Sequence, residues 1–260
     1  MKRAYARLWA LGLVLLMLPI AAYGQAGLPK ENHYKVYNTS PVSFTRPLIL
    51  TDQFGAMNAN VFRLEKFANP TEKIHDGAIY PMDDPLAHQT WWRIVDALPQ
   101  PARTVIGIDQ FGYGPVTVGD PVYLLNPALK NPGPGGGTPP IRNHYLCYEV
   151  LGSLPIYKLV ILIDQFGTSD VTVVRSKLFC NPVEKREGAV YYPILDYRAH
   201  LQCYEVQNPQ PNFHPVVAFD QFGYWQIETY QNDCLCVPAL KEHIVSTERT
   251  TWGQIKALYR

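Results

Sequence analysis

The chain has 260 residues, and its 23 Lys and Arg almost balance 22 Asp and Glu. A net charge of +1 gives no field that would hold a phosphate backbone or an acidic membrane surface, so nucleic acid is excluded as the expected partner. The 23 prolines, spread along the whole chain, argue against long helices.

The chain opens with a secretory pattern. Lys2, Arg3 and Arg7 precede an apolar run from Leu8 to Ile20, and small residues follow at Ala22 and Gly24. This predicts a signal peptide over 1–24, with an uncleaved amino-terminal anchor as the alternative. Without that segment, no transmembrane span is expected. The implied compartment is secreted, periplasmic or associated with the cell envelope.

Four copies of one pattern then follow. The tetrapeptide Asp-Gln-Phe-Gly starts at Asp52, Asp109, Asp164 and Asp220. In each copy a Pro-x-x-Lys places a lysine 21 residues after the aspartate, at Lys73, Lys130, Lys185 and Lys241. A histidine stands 19 to 21 residues before it, at His33, His88, His144 and His200. So regular a skeleton describes one folding unit used four times. Within a unit the periodicity is that of strands, as in Val171-Thr-Val173 and the apolar run Leu159–Ile163.

The copies match in alternation. The joins after Lys73 and Lys185 correspond, with Pro81 matching Pro193 and Asp84 matching Asp196. The middle stretch, from Asn131 to Pro140, is rich in Pro and Gly and has the composition of a linker. The expected fold is therefore all-β, with two tandem sandwich or barrel-like domains. They span 28–130 and 141–241, separated by a linker over 131–140, and each holds two pseudo-symmetric repeats. A single four-bladed ring is the alternative. Residues 242–260 form a separate tail, with a short helix expected over 252–260.

All five cysteines lie in the second half. Cys147 and Cys180 are 33 residues apart, as are Cys203 and Cys236. The equivalent positions of the first half lack both partners together, which points to one bond inside each of the last two repeats. Metal ligation lacks the close Cys or His spacing it needs, and no metal or other cofactor is expected. Cys234 is left as a buried free thiol or a rival partner for Cys203.

The repeated motif reads as structural. In a turn, Asp52, Asp109, Asp164 and Asp220 can accept backbone N–H groups, while Phe54, Phe111, Phe166 and Phe222 plug the core. A catalytic site is normally single and built from different elements, so four identical copies argue against one. No nucleophile elbow, phosphate loop or zinc-protease motif occurs. The candidate ligand-binding residues are aromatic: Tyr224, Trp225, Tyr191, Tyr192 and Trp92.

Cys203-Tyr204-Glu205-Val206, then Asp220–Gly223, then Leu235–Lys241, together with the matching stretches of the third copy, resemble an uncharacterised family of secreted bacterial repeat modules. The resemblance implies an extracellular β module and carries no assigned activity. The expected function is a non-enzymatic module that binds a protein or glycan. A structural spacer and a hydrolase with an unfamiliar site are the alternatives.

Overall fold

The computed structural model describes residues 28, 30–133, 136–207, 209 and 211–243. The expected signal peptide and the expected tail helix lie outside the described residues. Among those residues the fold is all-β, with thirteen strands and no helix.

Each repeat supplies a short strand that opens at its histidine and a hairpin that turns at Asp-Gln-Phe-Gly. The second arm of the hairpin runs on as a long strand past the lysine. In the first repeat the short strand and first arm are fused in β1 (His33–Asp52), followed by β2 (Gly55–His75). The second repeat has β4 (His88–Val95), β5 (Arg103–Asp109) and β6 (Gly112–Lys130). The third has β7 (His144–Leu151), β8 (Lys158–Asp164) and β9 (Gly167–Glu187). The fourth has β11 (His200–Gln207), β12 (Pro211–Asp220) and β13 (Gly223–His243). The matched joins add β3 (Ala78–Tyr80) beside β2 and β10 (Val190–Tyr192) beside β9.

The turn chemistry explains the hairpins. The motif glycines take φ of 123° to 151°, a region costly for residues with a Cβ. Each aspartate accepts the N–H of the phenylalanine two residues on, at 2.7 to 3.0 Å.

The short and long strands alternate around a closed antiparallel ring, in the order β1, β13, β11, β9, β7, β6, β4, β2 and back to β1. Closure removes the sheet edges that an open sheet would expose. Alternate side chains then separate into two populations. One set fills the ring: Tyr34, Val36, Trp91, Tyr145, Leu201 and the bonded cysteines. The other set, including Phe67, Leu124, Leu146 and Phe179, lies beneath the hairpins. Disulfides join Cys147 to Cys180 and Cys203 to Cys236, both between neighbouring strands of the ring, and Cys234 is a buried free thiol.

The division into two tandem domains needs correction. The halves share one sheet: β6 pairs with β7, and β1 with β13. Hairpin tips also cross between repeats two apart. β1 pairs with β9, β2 with β8, β12 with β6, and β5 with β13. Nor does the Pro/Gly stretch hang between separate bodies. Asn131 donates its N–H to the Val217 carbonyl at 2.7 Å and accepts the Val217 N–H at 2.8 Å, which anchors the start of the stretch on β12.

Candidate functional site

The four motif turns lock the ring. One oxygen of each aspartate is used by its own turn, and the other reaches the repeat two positions away. Asp52 accepts from Tyr148 at 2.9 Å, Asp109 from Tyr204 at 2.6 Å and Asp164 from Tyr37 at 2.7 Å. In the fourth case Trp92 Nε1 takes the tyrosine's place and donates to Asp220 at 2.8 Å. All four donors stand four residues after a repeat histidine. That recurrence is visible in the sequence when the copies are aligned on their histidines. Asn69 and Asn181 add further bonds to Asp164 and Asp52, at 3.1 and 2.8 Å.

The lysines link each repeat to the next. Lys73, Lys130, Lys185 and Lys241 place Nζ over Phe111, Phe166, Phe222 and Phe54, at 4.3 to 4.5 Å from the ring centres. The cycle closes because the fourth lysine covers the first phenylalanine. These rings were expected to be buried. Only Phe222 is, because Phe44 and Trp92 pack against it; the other three, at hairpin tips covered on one side by an amine, are half-buried. The motif glutamines complete the link. His33 pairs with Gln110 at 2.8 Å, His144 with Gln221, and Gln53 and Gln165 donate to the carbonyls of Tyr197 and Pro85. The repeated His, Asp, Gln and Lys are thus spread around the ring in joints and do not converge on one cleft.

Burial moves the charges of these joints. Lys73 and Lys185 are pulled down to about 7 and Lys241 to about 8, chiefly by desolvation, with Asp109, Asp220 and Asp52 opposing the shift. Burial also pulls His33 and His88 down to about 3 and pushes Asp109 up to about 6. A lysine with a lowered folded value is protonated in the unfolded chain and increasingly neutral in the fold between pH 7 and 9. The unfolded state then binds more protons, so stability rises with pH across that window. The melting temperature is expected to be higher at pH 9 than at pH 7, and Lys185→Met should flatten that slope.

The two ends of the ring differ. At one end Glu31 accepts from Tyr34 and Tyr145, both at 2.9 Å, and meets Arg142 at 3.4 Å, which closes it. The other end is an open mouth of about 630 Å³ lined by Arg93, Glu149, Arg175, Lys177, Glu205 and Asp233. There Asp233 binds Lys177 at 2.8 Å and Lys66 at 3.2 Å, and these partners hold its carboxyl below the usual range against the cost of burial. Cys234 lies beside this cluster, and burial pushes its thiol well up, away from reactivity.

The aromatic candidates divide. Trp92 is fully buried and is corrected to a core residue. Trp225 is half-buried, donates to Asp220 at 3.0 Å and packs on Phe44 and Trp92, so it too is structural. Tyr192 is half-buried beneath Lys185 Nζ at 4.6 Å. Tyr224 is exposed and stacks on Phe219 at 4.2 Å. Tyr191 is exposed on β10, donates to Glu184 at 2.9 Å and lies under Arg186 at 5.1 Å. Arg186 pairs with Tyr191 on one side and with Ile49 on the other, forming an accessible row across three strands. Tyr197, also exposed, lies near Tyr191. This row is brought together by the ring and joins residues from both halves of the chain.

A ring closed by four interlocked hairpin repeats defines an all-β repeat protein. Residues 88–238 match a family described as a repeat of unknown function (DUF7450), and the chain belongs to that family. No curated protein and no solved structure matches it.

Proposed function

We propose that the protein is a non-enzymatic binding module of the secreted or cell-envelope compartment, acting on a protein or glycan through the face formed by Tyr191, Tyr197, Arg186 and Ile49. The observation that carries this reading is the exposure of Tyr191 and Ile49, at 48 % and 46 %, on paired strands, with Tyr197, at 60 %, in the turn beside them. Flat rings flanking a guanidinium offer large contact area at low entropic cost, the composition of binding hot spots. Two disulfides support an oxidising compartment. The use of the repeated polar residues in internal joints supports a role without catalysis.

The test is to probe the full chain on a glycan array and on immobilised envelope proteins, beside the Tyr191→Ala/Tyr197→Ala double variant. The parent should bind a defined subset of probes. The variant should lose about tenfold or more in affinity with an unchanged melting temperature. No binding by the parent would favour the spacer reading.

A further inference from the structure

The four joints are not filled alike. Where Trp92 meets Phe222, the side chains of Phe44 and Trp225 occupy the space between the short strand and the hairpin above it. At the equivalent joint between Tyr37 and Phe166 that space is a cavity of about 170 Å³. Its walls include Lys35, Tyr37, Phe166, Ser169, Asn212 and Asn232.

The polar groups there lack partners. Asn232 is 3 % exposed, yet neither its Oδ1 nor its Nδ2 is hydrogen-bonded. Ser169 Oγ and Asn212 Oδ1 are likewise buried and unbonded. Unpaired buried polar atoms are costly, and native folds keep few of them without a use. Here four such atoms from two hairpins and a long strand line one cavity. Lys35 Nζ stands 4.0 Å from Asp164 Oδ1, so its charge is already opposed.

From this we infer that the cavity is a binding site for one neutral pyranose unit of a glycan, a proposal that rests on the glycan form of the function proposed above. A carboxamide presents an acceptor and a donor side by side, the complement of two neighbouring hydroxyls. Asn232 supplies that pair, and Ser169 and Asn212 receive further hydroxyls. Tyr37 and the edge of Phe166, whose faces are taken by Lys130 and by His214 stacked at 4.2 Å, supply the apolar side of the wall for the C–H groups of the ring. The opposed charge of Lys35 makes a neutral sugar the better fit than an acidic one. The joint between Tyr204 and Phe111 is open as well, with a cavity of about 490 Å³, but it carries Gln202 and Ser176 where this one carries Lys35, two after the repeat histidine, and Asn232, twelve after the motif aspartate, so the two cavities present different polar groups.

The test uses saturation-transfer NMR of the full chain with glucose, galactose, mannose, N-acetylglucosamine and glucuronic acid at millimolar concentration. Transfer to at least one neutral sugar is expected, weakened about tenfold or more by Asn232→Leu. Ser169→Ala, which removes a single oxygen near a hairpin tip, should also weaken it while leaving the melting temperature unchanged. All variants are compared in the Tyr191→Ala/Tyr197→Ala background, so that transfer at that face does not enter the comparison. Silence from every neutral sugar, transfer to glucuronic acid alone, or full transfer in both folded cavity variants would overturn the proposal, the first marking a cavity that holds only water. None of these results decides the role of the Tyr191 face, which its own variant tests.

Discussion

Asp164→Ala is expected to destabilise the protein by about 3–5 kcal/mol in chemical denaturation, because it strips one acceptor from several buried donors at once. Asp164 accepts from the Phe166 N–H at 3.0 Å, the Tyr37 hydroxyl at 2.7 Å and Asn69 Nδ2 at 3.1 Å. It also opposes buried Lys35 at 4.0 Å. Alanine leaves the hydroxyl, the amide and the ammonium without that partner inside the fold. Asp164→Asn keeps one acceptor oxygen and should fall between alanine and the parent. A parent-like midpoint for the alanine variant would mean that the repeated aspartate is no joint, and the structural reading of the motif would fail.

The second large effect is expected at Trp92. Its ring is fully buried and packs against Phe44, Phe222 and Trp225 at 5.0 to 5.3 Å between centres, while Nε1 donates to Asp220. Trp92→Ala should cost about 3–5 kcal/mol through lost burial and the cavity left behind. Trp92→Phe keeps part of the aromatic contact but loses the N–H bond to a buried carboxylate and leaves a smaller cavity, so its cost should fall below that of alanine, at about 2–3 kcal/mol. Thermal and urea unfolding followed by circular dichroism separates the two variants. An alanine variant as stable as the parent, with weakened ligand capture instead, would restore Trp92 to the binding residues.

Trp92 also shows why part of the site was legible in the sequence and part was not. Compared only with its neighbour Trp91, it resembles a surface aromatic. Aligned with Tyr37, Tyr148 and Tyr204, it is the fourth donor to a motif aspartate. The strand pattern and the turns were readable because both are local: alternation, a glycine at positive φ and an aspartate two residues before an N–H. The equal 33-residue spacing of the cysteines was readable for the same reason, since neighbouring ring strands repeat it. Domain division was not. The odd and even resemblance of the repeats fits two separate pairs, and it fits equally well a ring in which repeats two apart exchange hairpin tips. Sequence spacing carries no sign of which copy a lysine will cover. The mouth was not legible because its charged residues, Arg93, Glu149, Arg175, Lys177, Glu205 and Asp233, come from five strands outside the motif, and positions such as the one thirteen after each aspartate differ in every copy: Glu65, Val122, Lys177 and Asp233. In a repeat protein the shared positions build the frame, and these unshared ones mark where the copies have diverged.

The central claim is that the first strand closes the ring against the last. In that closure Val36 on β1 is the partner of Cys234 on β13, and both side chains lie inside the ring. A single substitution, Val36→Cys, therefore tests it without a second change. Non-reducing peptide mapping of the oxidised variant should find residue 36 bonded to Cys234, with Cys147–Cys180 and Cys203–Cys236 intact. When the reduced, unfolded variant is refolded under oxidising conditions, so that both thiols are accessible, a bond from residue 36 to a cysteine other than Cys234 in a protein that still folds would contradict the closed ring and return the chain to two tandem domains.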